Sequence, residues 1–239
     1  MLYLIGLGLN ENSFSLESVS ALKKCDKVYL ENYTSVLNSD LKHLEKLINK
    51  KIIKVGRDFV ENYDVLEALK DNVAFLIPGD VFSATTHISL FNDCRNKKVK
   101  VKVFNNASII TAVGITGLEI YKFGKIASIP FENKSVEGPI KILKDNLKVN
   151  AHTLFLLDLN PAENKYLSIR DAIEYLERRG VKSKVVGCAR LGNEKFVVKY
   201  GEMDRIKKFD FGKGPYCLIV PAKKLHFIEE KVLEKWKRD

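Results

Sequence analysis

Short unbroken apolar runs alternate along this chain with stretches in which apolar residues recur three or four positions apart. An unbroken run marks a strand buried on both faces, and the longer spacing marks a helix with one buried stripe. Runs at 2–7, 27–30, 52–55, 73–77 and 99–104 predict five strands in the first half. Between the first two, Leu16, Val19 and Leu22 stand at helical spacing behind Ser15, whose hydroxyl is placed to cap the first turn. Helical spacing returns over 60–69 and 85–94, and another helix is expected to begin near Ala107. Strands alternating with helices predict a largely parallel sheet covered on both faces.

The rhythm changes after that. Gly114, Gly117 and Gly124 crowd the next stretch, and Pro130 and Pro139 follow. This places a domain boundary at 112, with an N-terminal α/β domain over 1–112 and a C-terminal α/β domain over 113–239. The second half has strand-like runs at 126–129, 153–157, 184–188, 196–199 and 217–220, and helical spacing at 136–147, 168–178 and 224–235. Strands there follow one another in tandem, which predicts a mixed, partly antiparallel sheet. No internal repeat is visible.

Composition narrows the class. With 239 residues, 46% of them hydrophobic, the chain can bury a sizeable core without disulfides. Cys25, Cys94, Cys188 and Cys217 form no CxxC pair, and are expected as reduced core residues. The N-terminus lacks the basic region and cleavage site of a secretory signal, and no apolar run is long enough to span a bilayer, so a cytoplasmic protein is expected. The net charge of +10 admits an acidic partner. The lysines are nevertheless dispersed beside acids, as in Glu229-Glu230-Lys231 and Glu234-Lys235, which reads as solvated surface. Without an aromatic RNA-binding signature, direct nucleic-acid contact is not expected.

Candidate chemistry gathers where strands hand over to helices. Gly6-Leu7-Gly8 allows a tight turn and close approach to a ligand, but Glu11 stands where a dinucleotide fingerprint needs its third glycine. Glu31, ending the second strand, stands roughly 20 residues on, where a ribose-binding acid is expected in such a fingerprint. Pro78-Gly79-Asp80 follows the fourth strand: Gly79 lets the backbone approach a ligand, Asp80 can accept hydrogen bonds from ribose hydroxyls or an ammonium, and Thr85 or Thr86 can cap the next helix. Asn105-Asn106-Ala107-Ser108-Ile109 repeats the layout after the fifth strand. In an open parallel sheet these junctions share the carboxyl edge, where ligands bind. His87, His152 and His226 are candidate bases, and no metal-ligand spacing is present.

Together these pieces resemble the diphthine synthases, within the wider class of tetrapyrrole methylases. The resemblance is carried by Gly6-Leu7-Gly8-Leu9, by Glu31-Asn32-Tyr33-Thr34-Ser35, by Pro78-Gly79-Asp80 with Ala84-Thr85-Thr86-His87, and by Asn106-Ala107-Ser108-Ile109. It continues through 112–125, where Tyr121-Lys122-Phe123-Gly124-Lys125 is the most specific piece, and closes on Leu218-Ile219-Val220-Pro221 with Lys224-Leu225-His226. It implies two α/β domains with a cofactor cleft between them, a homodimer, and S-adenosylmethionine as methyl donor. The donor contacts it implies are Leu9, Asp80, Ser83, Ser108, Ile109, Leu157, Leu191 and Tyr216. Val81-Phe82-Ser83 stands where the family often has Pro-Leu-Val, and Asn105 and Tyr216 each replace a frequent His. The implied substrate is elongation factor 2 carrying a 3-amino-3-carboxypropyl histidine, whose amino nitrogen is methylated three times, with S-adenosylhomocysteine as product. His87 is the candidate base, and Tyr33 or Phe82 could face the growing cationic nitrogen. A corrinoid or other tetrapyrrole ring methylase, a nicotinamide-dependent oxidoreductase built on Gly6-Leu7-Gly8 with Glu31, and a basic RNA-binding module are the rival readings.

Overall fold

The computed structural model describes residues 1–35 and 41–237. They form two compact units, Met1–Ile109 and Ile110–Asp239. The division falls inside the turn of helix Ile109–Ala112, slightly before the boundary expected at 112.

In the first unit the chain runs β1 (Leu2–Gly6), α1 (Leu16–Leu22), β2 (Lys27–Glu31), α2 (Lys42–Ile48), β3 (Ile53–Val55), α3 (Arg57–Glu61), a 3-10 helix (Val65–Leu69), β4 (Val73–Ile77), α4 (Ile88–Asn96), β5 (Val101–Phe104) and the start of α5 (Ile109–Ala112). The strands form one parallel sheet in the order β3-β2-β4-β1-β5. Every residue of β1 and β4 is buried, as their unbroken apolar runs require. Alternate side chains enter different cores. Leu2, Leu4, Phe75 and Ile77 pack with Val60, Val65 and Leu90, while Tyr3, Ile5, Ala74 and Leu76 pack with Leu22, Leu44 and Ile48.

The second unit contains β6 (Ala127–Ile129), α6 (Gly138–Lys148), β7 (Thr153–Leu157), β8 (Leu159–Asn160), β9 (Lys165–Tyr166), α7 (Ile169–Glu177), β10 (Lys184–Ala189), β11 (Val197–Glu202), α8 (Met203–Ile206), β12 (Tyr216–Val220) and α9 (Phe227–Lys235). Its main sheet, ordered β11-β10-β12-β7-β6, is mixed: β6 pairs with β7 in parallel and the other pairs are antiparallel. Phe155, Leu218, Ile173, Tyr175 and Leu176 lie in its core.

Several local expectations fail for identifiable reasons. The helix expected over 60–69 is two shorter pieces, because the Asp64 side chain accepts the Leu66 N–H and starts a new turn. Neither Thr85 nor Thr86 caps α4: the Thr85 hydroxyl donates to the Val81 carbonyl, and His87 occupies the cap position without a side-chain bond. Leu16 points to solvent at 89% exposure, so α1 buries a narrower stripe than its spacing suggests.

Glu229 overturns a larger expectation. It is wholly buried rather than part of a solvated charge run. One of its oxygens accepts the Glu119 N–H at 2.9 Å and the His152 Nε2–H at 3.0 Å, and the other accepts Lys122 Nζ at 2.9 Å and the His226 N–H at 2.8 Å. The Ala222 N–H donates to His152 Nδ1, which leaves the ring proton on Nε2 to face Glu229. Burial alone would raise the Glu229 pKa, but these four donors outweigh it and hold it at about 2. The carboxylate thus ties α9 to the 119–122 segment. Nearby, a Cβ at Gly124 would sit 2.2 Å from Asn146 Oδ1, the atom that accepts the Lys125 N–H, so this position admits no side chain.

Candidate active site

In the first unit the parallel sheet brings its strand ends to one edge. β1 lies between β4 and β5, so Gly6-Leu7-Gly8, Pro78-Gly79-Asp80 and Asn105-Asn106 emerge side by side. The first two junctions are bonded through their backbones: the Gly8 N–H donates to the Gly79 carbonyl at 3.0 Å, and the Gly79 N–H to the Gly8 carbonyl at 2.8 Å. Both glycines have left-handed φ, 71° at Gly8 and 83° at Gly79, where a side chain would be strained. A Cβ at Gly8 would overlap Ser13 Cβ at 2.4 Å, whereas one at Gly79 would have the Ala107 carbonyl, at 3.9 Å, as its nearest described neighbour. Gly8 is therefore a packing requirement, whereas Gly79, itself buried, leaves room in front of its backbone.

Two side chains lock these junctions. Asn106 donates through Nδ2 to the Gly6 carbonyl at 3.0 Å and the Ser13 carbonyl at 2.9 Å, pinning the third junction to the first. Asp80 pins the second to the third: Oδ2 accepts Asn105 Nδ2 at 3.1 Å and the Asn106 N–H at 3.0 Å, while Oδ1 accepts the Phe82 N–H at 3.1 Å and the Ser83 hydroxyl at 3.2 Å. Burial would raise the Asp80 pKa, but the four donors prevail and hold it below the usual carboxylate range. A carboxylate has roughly four lone-pair sites, and these donors use them. The Asp80 side chain is therefore a brace between two loops rather than a free acceptor for ribose. Sequence reasoning missed Asn106 as a functional side chain. Its position after a strand and ahead of Ser108 was the available signal. Ser108 is buried behind this edge, and Leu9, Ser83 and Ile109 are half-buried on the same three segments.

Farther along the edge, β2 ends in Glu31, whose side chain is fully enclosed. It accepts the Thr34 hydroxyl on one oxygen, and the Thr34 N–H approaches the other at 3.4 Å. Burial drives its pKa up to about 7, against the opposing Thr34 bonds and the Arg57 charge. An enclosed carboxyl of this kind is not presented to a ribose, which removes the acid that the nicotinamide reading needs. His87, equally enclosed, places Nε2 3.9 Å from Glu31 Oε2. Burial drives its pKa down to about 4, so the ring is neutral, and neither ring nitrogen has a hydrogen-bond partner among the described residues. The Tyr33 ring lies 6.3 Å from the His87 ring, and the Arg57 guanidinium stands over Tyr33 at 5.2 Å.

In the second unit, strand register gathers the remaining expected residues at one edge. Ala189 lies opposite Tyr216, and Cys217 lies opposite Leu156, so Leu157, Tyr216 and the segment leading to Leu191 meet there. Leu157 and Leu191 are buried. Asp158 fixes the first turn by accepting the Phe131 N–H at 3.1 Å and the Leu159 N–H at 2.9 Å. Arg190 adopts φ 54° and donates to the Lys195 carbonyl at 3.0 Å, the Phe211 carbonyl at 2.9 Å and the Lys213 carbonyl, which shapes the loop that carries Leu191. The Tyr216 hydroxyl donates to the Gly212 carbonyl, and its ring meets Tyr166 edge-on at 6.2 Å. His152, by contrast, is committed to the Glu229 cluster, and His226 caps α9.

Comparison with known proteins gives a consistent picture. The family model of the Tetrapyrrole (Corrin/Porphyrin) Methylases matches residues 1–206. The diphthine synthase of Methanocaldococcus jannaschii is 38% identical, with 98% of each chain covered. A probable diphthine methyl ester synthase of Arabidopsis thaliana is also 38% identical, over 99% of this chain and 98% of its own. A crystal structure of a diphthine synthase superposes with a TM-score of 0.91 at 34% identity, over 99% of this chain and 95% of that one.

Proposed function

The chain belongs to the diphthine synthases, a branch of the tetrapyrrole methylases and methyltransferases of diphthamide biosynthesis, and from that premise we propose its donor, its acceptor and the residues that hold them. The donor is S-adenosylmethionine, leaving as S-adenosylhomocysteine. The acceptor is the amino nitrogen of a 3-amino-3-carboxypropyl histidine on elongation factor 2, methylated three times to give diphthine. The observation that carries the donor assignment is the Gly79 junction, where the buried backbone leaves room for a neighbour and the loops beside it are braced by Asp80 and Asn106.

Bound there, the donor supplies a methyl group activated by a cationic sulfur. The protein's task is alignment, because a direct displacement needs nucleophile, methyl and sulfur in line at near-contact distance. In the first unit Leu9, Asp80, Ser83, Ser108 and Ile109 serve the donor. Asp80 and Ser83 do so mainly through their main chain, since their side chains are engaged with each other. In the second unit Leu157, Leu191 and Tyr216 are the donor residues, Tyr216 through its ring, since its hydroxyl is engaged. Phe82, 37% exposed, is a better face for the growing trimethylammonium than Tyr33, whose ring already carries Arg57.

The net charge of +10 favours encounter with a large acidic partner. A homodimer is part of the same reading: Ile115, Tyr121, Phe227 and Ile228 are exposed apolar side chains on two segments that Glu229 ties together. A cytoplasmic location follows from the proposed partner. No helix among the described residues is long and apolar enough to cross a membrane.

Transfer of label from methyl-tritiated S-adenosylmethionine tests the acceptor. Labelling of elongation factor 2 that bears the aminocarboxypropyl histidine, and none of the unmodified factor, is the expected result. Labelling of a precursor corrin instead would return the substrate to the tetrapyrrole reading.

A further inference from the structure

Asp80, Glu31 and Glu229 are carboxylates with little or no exposure, and they are not alike. Asp80 and Glu229 each accept four hydrogen bonds and stay ionised. That is how a carboxylate used as a brace looks in this fold. Glu31 is as enclosed as Glu229, yet among the described residues its one close donor is the Thr34 hydroxyl. Its other oxygen faces His87 across 3.9 Å, and among the described residues the only further approach is the Thr34 N–H at 3.4 Å. A carboxyl so poorly compensated is costly as a structural element. His87 has the same peculiarity, since an imidazole kept for stability would normally be hydrogen-bonded.

We propose that Glu31 is the proton acceptor of the methylation, reached from the substrate amine through the Thr34 hydroxyl, and that His87 is a positioning residue that accommodates the Glu31 carboxyl in both of its protonation states. This rests on the amine methylation proposed above.

The geometry supports each part. Thr34 is half-buried and stands between the enclosed Glu31 and the outside, on the carboxyl edge that also carries Gly79. Neutral imidazole can present Nε2 either as a donor to a carboxylate or as an acceptor from a carboxylic acid, by exchange of tautomer. With both nitrogens unpartnered among the described residues, His87 can do either once the gap to Glu31 closes. The other groups facing the cluster are Tyr33 from the same segment and Arg57 and Glu61 from α3. Arg57 favours the ionised Glu31, and Glu61 acts on Tyr33. With burial as the dominant cause, Glu31 titrates at about 7, so it can take a proton and return it to water in each cycle.

When the amine nitrogen takes the methyl group, its lone pair forms the new N–C bond, the C–S bond breaks, and the nitrogen is left as an ammonium. It passes one proton to Thr34 Oγ1 while Thr34 passes its own hydroxyl proton to the Glu31 carboxylate. The products are a neutral methylated amine, an intact Thr34 and a protonated Glu31. Glu31 then loses its proton to solvent by the same route before the next round. The third transfer leaves no N–H and needs no acceptor.

The test follows methyl addition to elongation factor 2 bearing the aminocarboxypropyl histidine by mass spectrometry, at saturating S-adenosylmethionine, from about pH 6 to about pH 9. Wild type, E31Q, T34V and T34S are compared, with S-adenosylhomocysteine affinity measured for each. Wild type is expected to reach the trimethyl product, with rates of the second and third transfers rising through about pH 7. E31Q and T34V are expected to accumulate the monomethyl product, with later transfers roughly 100-fold slower and the rise near neutrality gone, at unchanged S-adenosylhomocysteine affinity. T34S is expected to restore the wild-type ladder. A T34V protein with the wild-type ladder and pH profile overturns the relay whatever E31Q does. Variants that are slowed equally at every step, with the profile unmoved, also overturn it. A wild type that adds no methyl at all overturns the amine reaction itself, which is a separate and recognisable failure.

Discussion

Asp80→Asn is the sharpest perturbation of the proposed donor edge. The substitution keeps the size of the side chain and turns one acceptor oxygen into an NH2 group. Either Phe82 N–H and the Ser83 hydroxyl lose their acceptor, or Asn105 Nδ2 and the Asn106 N–H do. The first choice is less costly, because the Ser83 hydroxyl can rotate and accept from the new NH2. That leaves the Phe82 N–H unpaired and the rest of the brace bound to a neutral oxygen. Hydrogen bonds to charged groups contribute about 1.5–3 kcal/mol each when buried. Asp80 is half-buried, and water recovers part of the loss, so about 2 kcal/mol is expected from the whole change. Expressed on binding, that is roughly 30-fold weaker affinity. Titration calorimetry with S-adenosylhomocysteine reads it directly, with a thermal melt to confirm folding. Affinity within about twofold of wild type would show that the brace does not shape the donor site, and would refute the reasoning.

Gly79→Val should abolish measurable donor binding while costing about 1–2 kcal/mol of stability, because it strains a left-handed residue and fills the space in front of the backbone; calorimetry showing donor affinity retained would place the donor elsewhere. Gly124→Ala should destabilise the second unit by about 2–3 kcal/mol by displacing Asn146 from Lys125 and Thr153, read as a lower midpoint in urea. Glu229→Gln should cost about 3 kcal/mol near neutrality, the value implied by a pKa lowered from 4.5 to about 2. Because the folded pKa is the lower one, that contribution is fully present above about 4.5 and fades as pH falls toward about 2. Urea unfolding of both proteins should therefore show a gap that narrows in acid, and a gap independent of pH would count against the charge as its source.

The architecture was largely legible because both of its rhythms are strong. β1 and β4 are unbroken apolar runs, and they are the wholly buried strands of the first sheet. Pro78-Gly79-Asp80 was legible as a strand-to-helix junction at the carboxyl edge of the sheet, because a turn signal follows the unbroken apolar run of β4. What stayed hidden depended on contacts distant in sequence. α2 carries Leu44 and Ile48 as its buried residues among lysines and a glutamate, too sparse a stripe to read. Glu229 looked like one member of a solvated charge run, and nothing local says that Glu119, Lys122 and His152 converge on it. Asp80 read as a ligand acceptor because its four internal donors come partly from Asn105 and Asn106, in the loop after β5. Glu31 read as a ribose acid because position in the chain does not reveal enclosure. His87, expected as a base, lies enclosed behind Glu31, so the role proposed for it changed from proton acceptor to support of one.

The central claim is that this chain methylates the amino nitrogen of a modified histidine. The measurement that tests it most directly is the mass of that histidine peptide after incubation of the protein with S-adenosylmethionine and elongation factor 2 bearing the aminocarboxypropyl group. A gain of three methyl groups, all located on the amino nitrogen by fragmentation, is the predicted result, and a fourth on the carboxylate would extend the reaction to the methyl ester. No gain on that peptide, with the donor bound and the protein folded, would contradict the account.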